Sequence, residues 1–184
     1  FRDLIHPEDK NRIVNNAKNF MSSAQRSNSI EYRIRNKNGE YKWLSEHISK
    51  AKDRMGGIGF DGIIRDITKR KVAESHSQLL LIAMENTVEV VTITNRQGQI
   101  VYVNRAFETV TGFSKQEALG RNPRILKSGE HSKQFYKEMW DTLTAQETWH
   151  GELTNKKKDG TVYYEDATIS PVLNSEEETT HYIA

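Results

Sequence analysis

Between Gly120 and Pro171 the chain gathers Trp140, Trp149, Tyr163 and Tyr164 with Arg124 and Asn155. Aromatic faces accompanied by a few polar groups are what a flat heteroaromatic ligand needs from its site. Covalent and metal chemistry is much more restricted. The 184 residues include no cysteine, which excludes disulfides, thiolate catalysis and Cys-based zinc or iron–sulfur centres. No phosphate-binding G-x-x-x-x-G-K-[ST], no G-x-G-x-x-G and no H-E-x-x-H occurs, and Gly56, Gly57 and Gly59 fit only a turn.

The six histidines are scattered without metal-ligand spacing. His150 and Glu152 share one face of a predicted strand and read as exposed strand residues. His131 lies near a helix start and reads as a solvated loop residue, so haem is not expected there. The carboxylate pairs Asp3/Glu8 and Glu165/Asp166 show no cleft partner. Catalysis within this stretch is not expected.

Charged residues make up 28% and hydrophobic residues 35%, the balance of a polar globular chain. A net charge of +2 gives no argument for nucleic acid, and Lys156-Lys157-Lys158 reads as a solvated hairpin tip. No segment approaches the roughly 18–20 apolar residues of a membrane span. A cytoplasmic location is the expectation. The chain opens mid-pattern at Phe1, so a natural N-terminus further upstream is expected.

The elements that position these residues follow from pattern. His6-Pro7-Glu8-Asp9 predicts a helix start, with Ile13, Ala17 and Phe20 on one face. Residues 29–36 alternate, with Ile30, Tyr32 and Ile34 inward, and predict an antiparallel strand. Lys37-Asn38-Gly39 turns into a second strand over 40–52. Met55-Gly56-Gly57 breaks the chain before a third over 59–67. Thr68 to about Asn86 predicts a helix in which Val72, Leu79 and Asn86, with Ser75 and Ile82 between them, make a short heptad. That helix either packs on its own domain or pairs with its twin in a parallel dimer.

Residues 88–94 are β-rich, and Asn95-Arg96-Gln97-Gly98 turns into a strand over 99–103. Asn104 and Ser114 are predicted helix caps, Ser114 with Glu117 as its capping-box partner. A helix over HSKQFYKEMWDTL then leads into two strands joined at Lys158-Asp159-Gly160, where Asp-Gly supplies the positive φ of a tight turn. An internal repeat is visible: Asn36-Lys37-Asn38-Gly39-Glu40-Tyr41 answers Lys157-Lys158-Asp159-Gly160-Thr161-Val162. Shifting the second module back by the repeat distance places the first module's opening before residue 1. The first module is therefore expected to lack its opening strands here, and its sheet to present an unpaired edge.

The order NPRILKSG, FYKEMW, W-x-G-E, N-x-K-K-D-G and ISPV resembles the second half of a PAS domain, a sensor fold of bacterial signalling proteins. The earlier H-P-E-D and D-I-T segments resemble the end of another. The resemblance implies an α+β fold with antiparallel five-stranded sheets flanked by short helices, in two modules joined by a helix. Residues 1–68 are expected to be the C-terminal part of a first module, 69–86 a linker helix, and 87–184 a second module with a truncated last strand.

It also implies a site. Gly120-Arg121-Asn122-Pro123-Arg124-Ile125-Leu126 is similar to the flavin-binding G-R-N-C-R-F-L of photoreceptor PAS domains, with Pro123 in the place of the reactive cysteine. A cysteinyl–flavin adduct is thereby ruled out. Asn122 and Arg124 match family positions that contact the flavin chain and phosphate. Asn155 matches a position that hydrogen-bonds the isoalloxazine edge, and Trp140 a tryptophan near the flavin of redox sensors. The second polar position on the next strand, an Asn in photoreceptors, is Glu165 here.

Each residue also has a structural reading. Trp140 can be helix-to-sheet core, Asn155 can serve the turn after it, and Arg124 can pair with a carboxylate. The expected function is a sensory and regulatory module of a bacterial signalling protein. It would relay a signal to an output domain, a histidine kinase or a cyclic-di-GMP enzyme, through homodimerisation and ligand or partner binding. The alternative is an FAD- or FMN-binding redox or oxygen sensor in the second module.

Overall fold

A computed structural model describes residues 3–52 and 57–184, and the chain divides into two compact units, Phe1–Leu79 and Leu80–Ala184. Phe1, and Met55 and Gly56 of the predicted break, lie outside the described residues.

The first unit carries α1 (Pro7–Ser22) and an antiparallel sheet of β1 (Ser27–Arg35), β2 (Tyr41–Lys52) and β3 (Ile58–Asp66), in the order β1-β2-β3. The helix starts where the sequence signals it. His6 caps it, Pro7 occupies the first turn, and Glu8 and Asp9 lie at the positive end of the dipole. Phe20 is buried from its last turn, whereas Ala17, predicted on the same face, is exposed. Ile30 and Tyr32 point inward from β1 as the alternation requires.

Asp9 ties helix to sheet. Its carboxylate accepts from the backbone N–H of Arg33 at 2.9 Å and from Arg33 Nε at 2.9 Å, and Arg12 adds a third donor. Burial alone would raise the Asp9 pKa, but these donors outweigh it and hold the carboxyl well below the usual range.

From the first unit into the second runs α2 (Thr68–Asn86), which buries no residue. Arg70 and Lys71 at its start hold Glu31 of β1. At its end Glu85 accepts from Tyr102, Lys115 and the Arg105 backbone.

The second unit continues with β4 (Thr92–Asn95), β5 (Ile100–Val103), α3 (Arg105–Thr111) and α4 (Lys115–Ala118). A 3-10 turn (Pro123–Leu126), α5 (Lys133–Thr144), β6 (Trp149–Lys156), β7 (Val162–Leu173) and β8 (Thr179–Ile183) complete it. The five strands form one antiparallel sheet in the order β5-β4-β8-β7-β6. Ile100, Val103, Phe107, Ala118 and Leu126 form one core cluster, and Met139, Leu143 and Tyr182 pack α5 against the sheet in another. Asn104 caps α3, and Ser114 with Glu117 closes a capping box on α4.

Two expectations need correction. The β-rich stretch 88–94 becomes strand only from Thr92, because Asn104 occupies the backbone before it. Its amide donates to Glu89 O at 2.8 Å and its oxygen accepts from Val91 N–H at 3.0 Å. The Lys158-Asp159-Gly160 turn places only Gly160 at positive φ, 91°. It is a three-residue hairpin loop, with Gly160 N–H donating to Lys157 O, and Gly39 and Gly98 occupy the same left-handed place in their hairpins.

Candidate ligand-binding site

Antiparallel register decides which side chains of β6 and β7 meet. Asn155 pairs with Tyr163 and Leu153 with Glu165, so these four share one face with Ala167 and Ile169. A cavity of about 200 Å³ lies between that face, the 3-10 turn and α5. Thr92 and Thr94 of β4 and Tyr182 of β8 complete its sheet wall. Leu126, Met139 and Leu143 supply its apolar side.

Asn122, Arg124, Trp140 and Asn155 all line this one cavity. Asn122 has a local task as well: it caps the 3-10 turn, and its Oδ1 accepts from Arg124 N–H at 3.0 Å and Arg124 Nε at 3.1 Å. Asn122 therefore aims the guanidinium. Gly98 makes room for it, since a Cβ there would stand 2.8 Å from Asn122 Nδ2. Arg124 forms no ion pair with a carboxylate among the described residues, which leaves a cation at the cavity mouth. Lys127 also lines the cavity, its ammonium 3.4 Å from the centre of the Tyr136 ring.

Trp140 is not a core residue. Met139 and Leu143 bury the sheet-facing side of α5, while Trp140 remains 38% exposed at the cavity edge, its ring edge-on to Tyr182. Asn155 is only 6% exposed, and its Nδ2 donates to Glu165 Oε1 at 2.7 Å. Sequence reasoning treated Glu165 as a departure from the family; in the structure it is the direct partner of Asn155. Burial pushes the Glu165 carboxyl up from its ordinary value, against the opposing hydrogen bond from Asn155. The Tyr163 hydroxyl is buried beside them and has no hydrogen-bond partner among the described residues.

The other aromatic candidates lie elsewhere. Strand alternation sends Tyr164 to the opposite face, 82% exposed. Trp149 packs edge-on against Phe135 and covers Gly151. His131 is occupied structurally: its Nε2 accepts from Thr154 N–H at 2.8 Å, and its ring stacks on Phe135. His150 bonds Thr168. Among the described residues no group of three or more His, Asp or Glu side chains could hold a metal ion. Among them, too, no helix is long and apolar enough to cross a membrane. The cavity residues that sequence reasoning missed, Thr92, Thr94 and Tyr182, come from strands whose pattern signals burial but not a shared cavity.

Comparison with known proteins bears on the fold and family. Two family profiles, each described as the PAS fold, match residues 82–184 and residues 1–64. A nitrogen fixation regulatory protein of Klebsiella oxytoca is 34% identical over 124 residues, 67% of this chain and 25% of that protein. The hybrid signal transduction histidine kinase L of Dictyostelium discoideum is 30% identical over 116 residues, 63% of this chain and 7% of the other. A blue-light photoreceptor of Listeria monocytogenes is 32% identical over 82 residues, 45% and 32% of the two chains. The chain thus spans about a quarter of the length of the nitrogen fixation regulator it matches.

Among solved structures, an RNA-binding Light-Oxygen-Voltage receptor superposes with a TM-score of 0.55 at 12% identity, covering 99% of this chain and 83% of that one. A PAS domain from Colwellia psychrerythraea gives 0.55 at 21% identity, covering 59% and 92%. At these identities the likeness shows the fold. With a five-stranded antiparallel sheet in the second unit and a PAS profile matching more than half its length, the chain belongs to the PAS family of sensory and regulatory signalling domains.

Proposed function

We propose that the second unit is a ligand-sensing PAS module and that its cavity takes a flavin, FMN or FAD. The observation that carries this reading is the convergence of Asn122, Arg124, Trp140 and Asn155 on one cavity, with Arg124 free of any carboxylate among the described residues. A flat ring would lie between the Trp140 edge and the apolar wall. Asn155 and Glu165 would meet its polar rim, and Arg124, aimed by Asn122, would neutralise a phosphate. A bound flavin supplies a ring that can be reduced and reoxidised, and with no cysteine in the chain no thiol adduct forms on it. The blue-light photoreceptor relative supports this reading by its name.

The test is reconstitution. Purified protein is titrated with FMN, FAD and riboflavin while flavin fluorescence is followed. FMN and FAD are expected to bind, and riboflavin and the Arg124→Ala variant to bind about tenfold or more weakly, the loss of one charge-assisted contact. Equal affinity for riboflavin and FMN would remove Arg124 from the site, and no binding at all would reject the flavin.

A second reading concerns transmission: the two units act as tandem PAS modules, regulatory rather than catalytic, and α2 pairs with its twin in a homodimer. It is favoured by the exposure of Val72, Leu79, Leu80, Leu81 and Ile82 on a helix that buries nothing within its own chain. Leu79→Lys with Ile82→Lys is expected to convert dimer to monomer in sedimentation experiments. A monomeric parent chain would reject this role for α2.

A further inference from the structure

Among the described residues one carboxylic acid lines the cavity, and its setting differs from that of a surface carboxylate. Glu165 lies on the inner face of β7. One oxygen is engaged by Asn155 Nδ2, and Glu165 lines the cavity with Tyr163 beside its carboxyl. No lysine or arginine is within salt-bridge distance of it among the described residues. The other ionisable side chains lining the cavity are Arg124 and Lys127 from the 3-10 turn and the residue following it, Tyr136 of α5 and Tyr182 of β8, and Tyr163 of β7 lies beside the carboxyl. β4 and β6 contribute only Thr92, Thr94, Leu153 and Asn155. Arg124 is committed to Asn122, and Lys127 to the face of Tyr136.

A half-buried carboxyl with a single amide donor and no cation partner favours its neutral form. A neutral acid is a hydrogen-bond donor, and an ionised one only accepts. We infer that Glu165 makes ligand binding proton-linked: its neutral acid donates a hydrogen bond to an acceptor atom on the ligand's ring edge, and its ionisation withdraws that donor and weakens binding. The cavity would thus select a ring with a carbonyl or bare ring nitrogen facing β7 and release it as pH rises. Burial shifts the carboxyl in the direction this requires. The inference takes its probe from the flavin reading, but the state of the carboxyl does not depend on that reading.

Two measurements on the whole chain separate the two. The first is the infrared spectrum of ligand-free protein as pH is raised through and above the ordinary glutamate range, wild type minus Glu165→Gln. The carbonyl stretch of a protonated carboxylic acid is expected in wild type and absent from the variant. The second is FMN affinity as a function of pH. Wild type is expected to weaken about tenfold per pH unit once pH passes the native pKa of Glu165, the limit for one linked proton. Glu165→Gln, which keeps a neutral donor, is expected to bind without that slope. Glu165→Ala, which has no donor, is expected to bind weakly at every pH.

Loss of the acid band within the ordinary glutamate range overturns the inference, as does a wild-type slope retained in Glu165→Gln. If the band is present and lost in the variant while FMN fails to bind even at the lowest pH, the flavin reading falls and the neutral donor stands.

Discussion

At the scale of single residues, two positions carry energetics that no composition reveals. Glu177 has φ of 60° in the β7–β8 turn, the left-handed place that Gly39, Gly98 and Gly160 fill in their hairpins. For a residue with a Cβ this conformation costs about 1–2 kcal/mol, part of which a glycine returns through unfolded-chain entropy. Glu177→Gly is therefore expected to stabilise the second unit by about 0.5 kcal/mol, read as a higher urea midpoint at unchanged slope.

Asp9 is the opposite case. Its depressed pKa means that the folded state holds the ionised form, so the stability it contributes is present above the ordinary aspartate range and is lost as pH falls towards its native pKa. Asp9→Asn is expected to cost about 2–3 kcal/mol near neutral pH, below the loss for a fully buried pair because Arg33 keeps Glu8. It should also flatten acid destabilisation of the first unit. Equal acid sensitivity in wild type and variant would remove this role.

At the scale of elements, α5 divides its work between two faces. Met139 and Leu143 pack on the sheet with Tyr182, and Trp140, next to Met139 in sequence, borders the cavity. Leu143→Ala is expected to cost about 2–4 kcal/mol in chemical denaturation. Trp140→Ala is expected to cost less than Leu143→Ala and yet to weaken FMN binding more. The reverse ranking would make Trp140 a core residue, as one reading of the sequence had it. Val72, Leu79 and Ile82 of the short α2 heptad are exposed.

At the scale of the whole molecule, the two units are separate packing problems. The cavity belongs wholly to residues of the second unit. FMN is therefore expected to slow amide exchange at Thr92–Asn95, Leu153–Asn155 and Glu165–Ile169. Exchange at Ile30–Ile34 in the first unit should be unaffected. Equal protection in both sheets would mean that the ligand acts on the chain as a whole.

How much of this could be read in advance depended on the range of the interaction. Helix starts at Pro7, Arg105 and Lys115 were legible because caps act within one turn, through His6, Asn104, Ser114 and Glu117. The inward face of β1 follows from period-two alternation, and the hairpin at Gly160 from the local demand for positive φ. The order of polar residues from Asn122 to Asn155 identified the neighbourhood of the site.

The pairing of Asn155 with Glu165, the burial of Tyr163 against them and the contributions of Thr92 and Tyr182 were not legible. Each depends on strands far apart in sequence being brought together in one register. For the same reason residues 88–91 read as strand but are held by Asn104, a partner more than ten positions away. By itself the sequence determined the elements, their caps and turns and the family to which they belong, because those depend on contacts a few residues long. Only the tertiary structure decided which face of each strand met which, and so that a half-buried acid, an amide and an arginine with no carboxylate partner among the described residues surround one cavity.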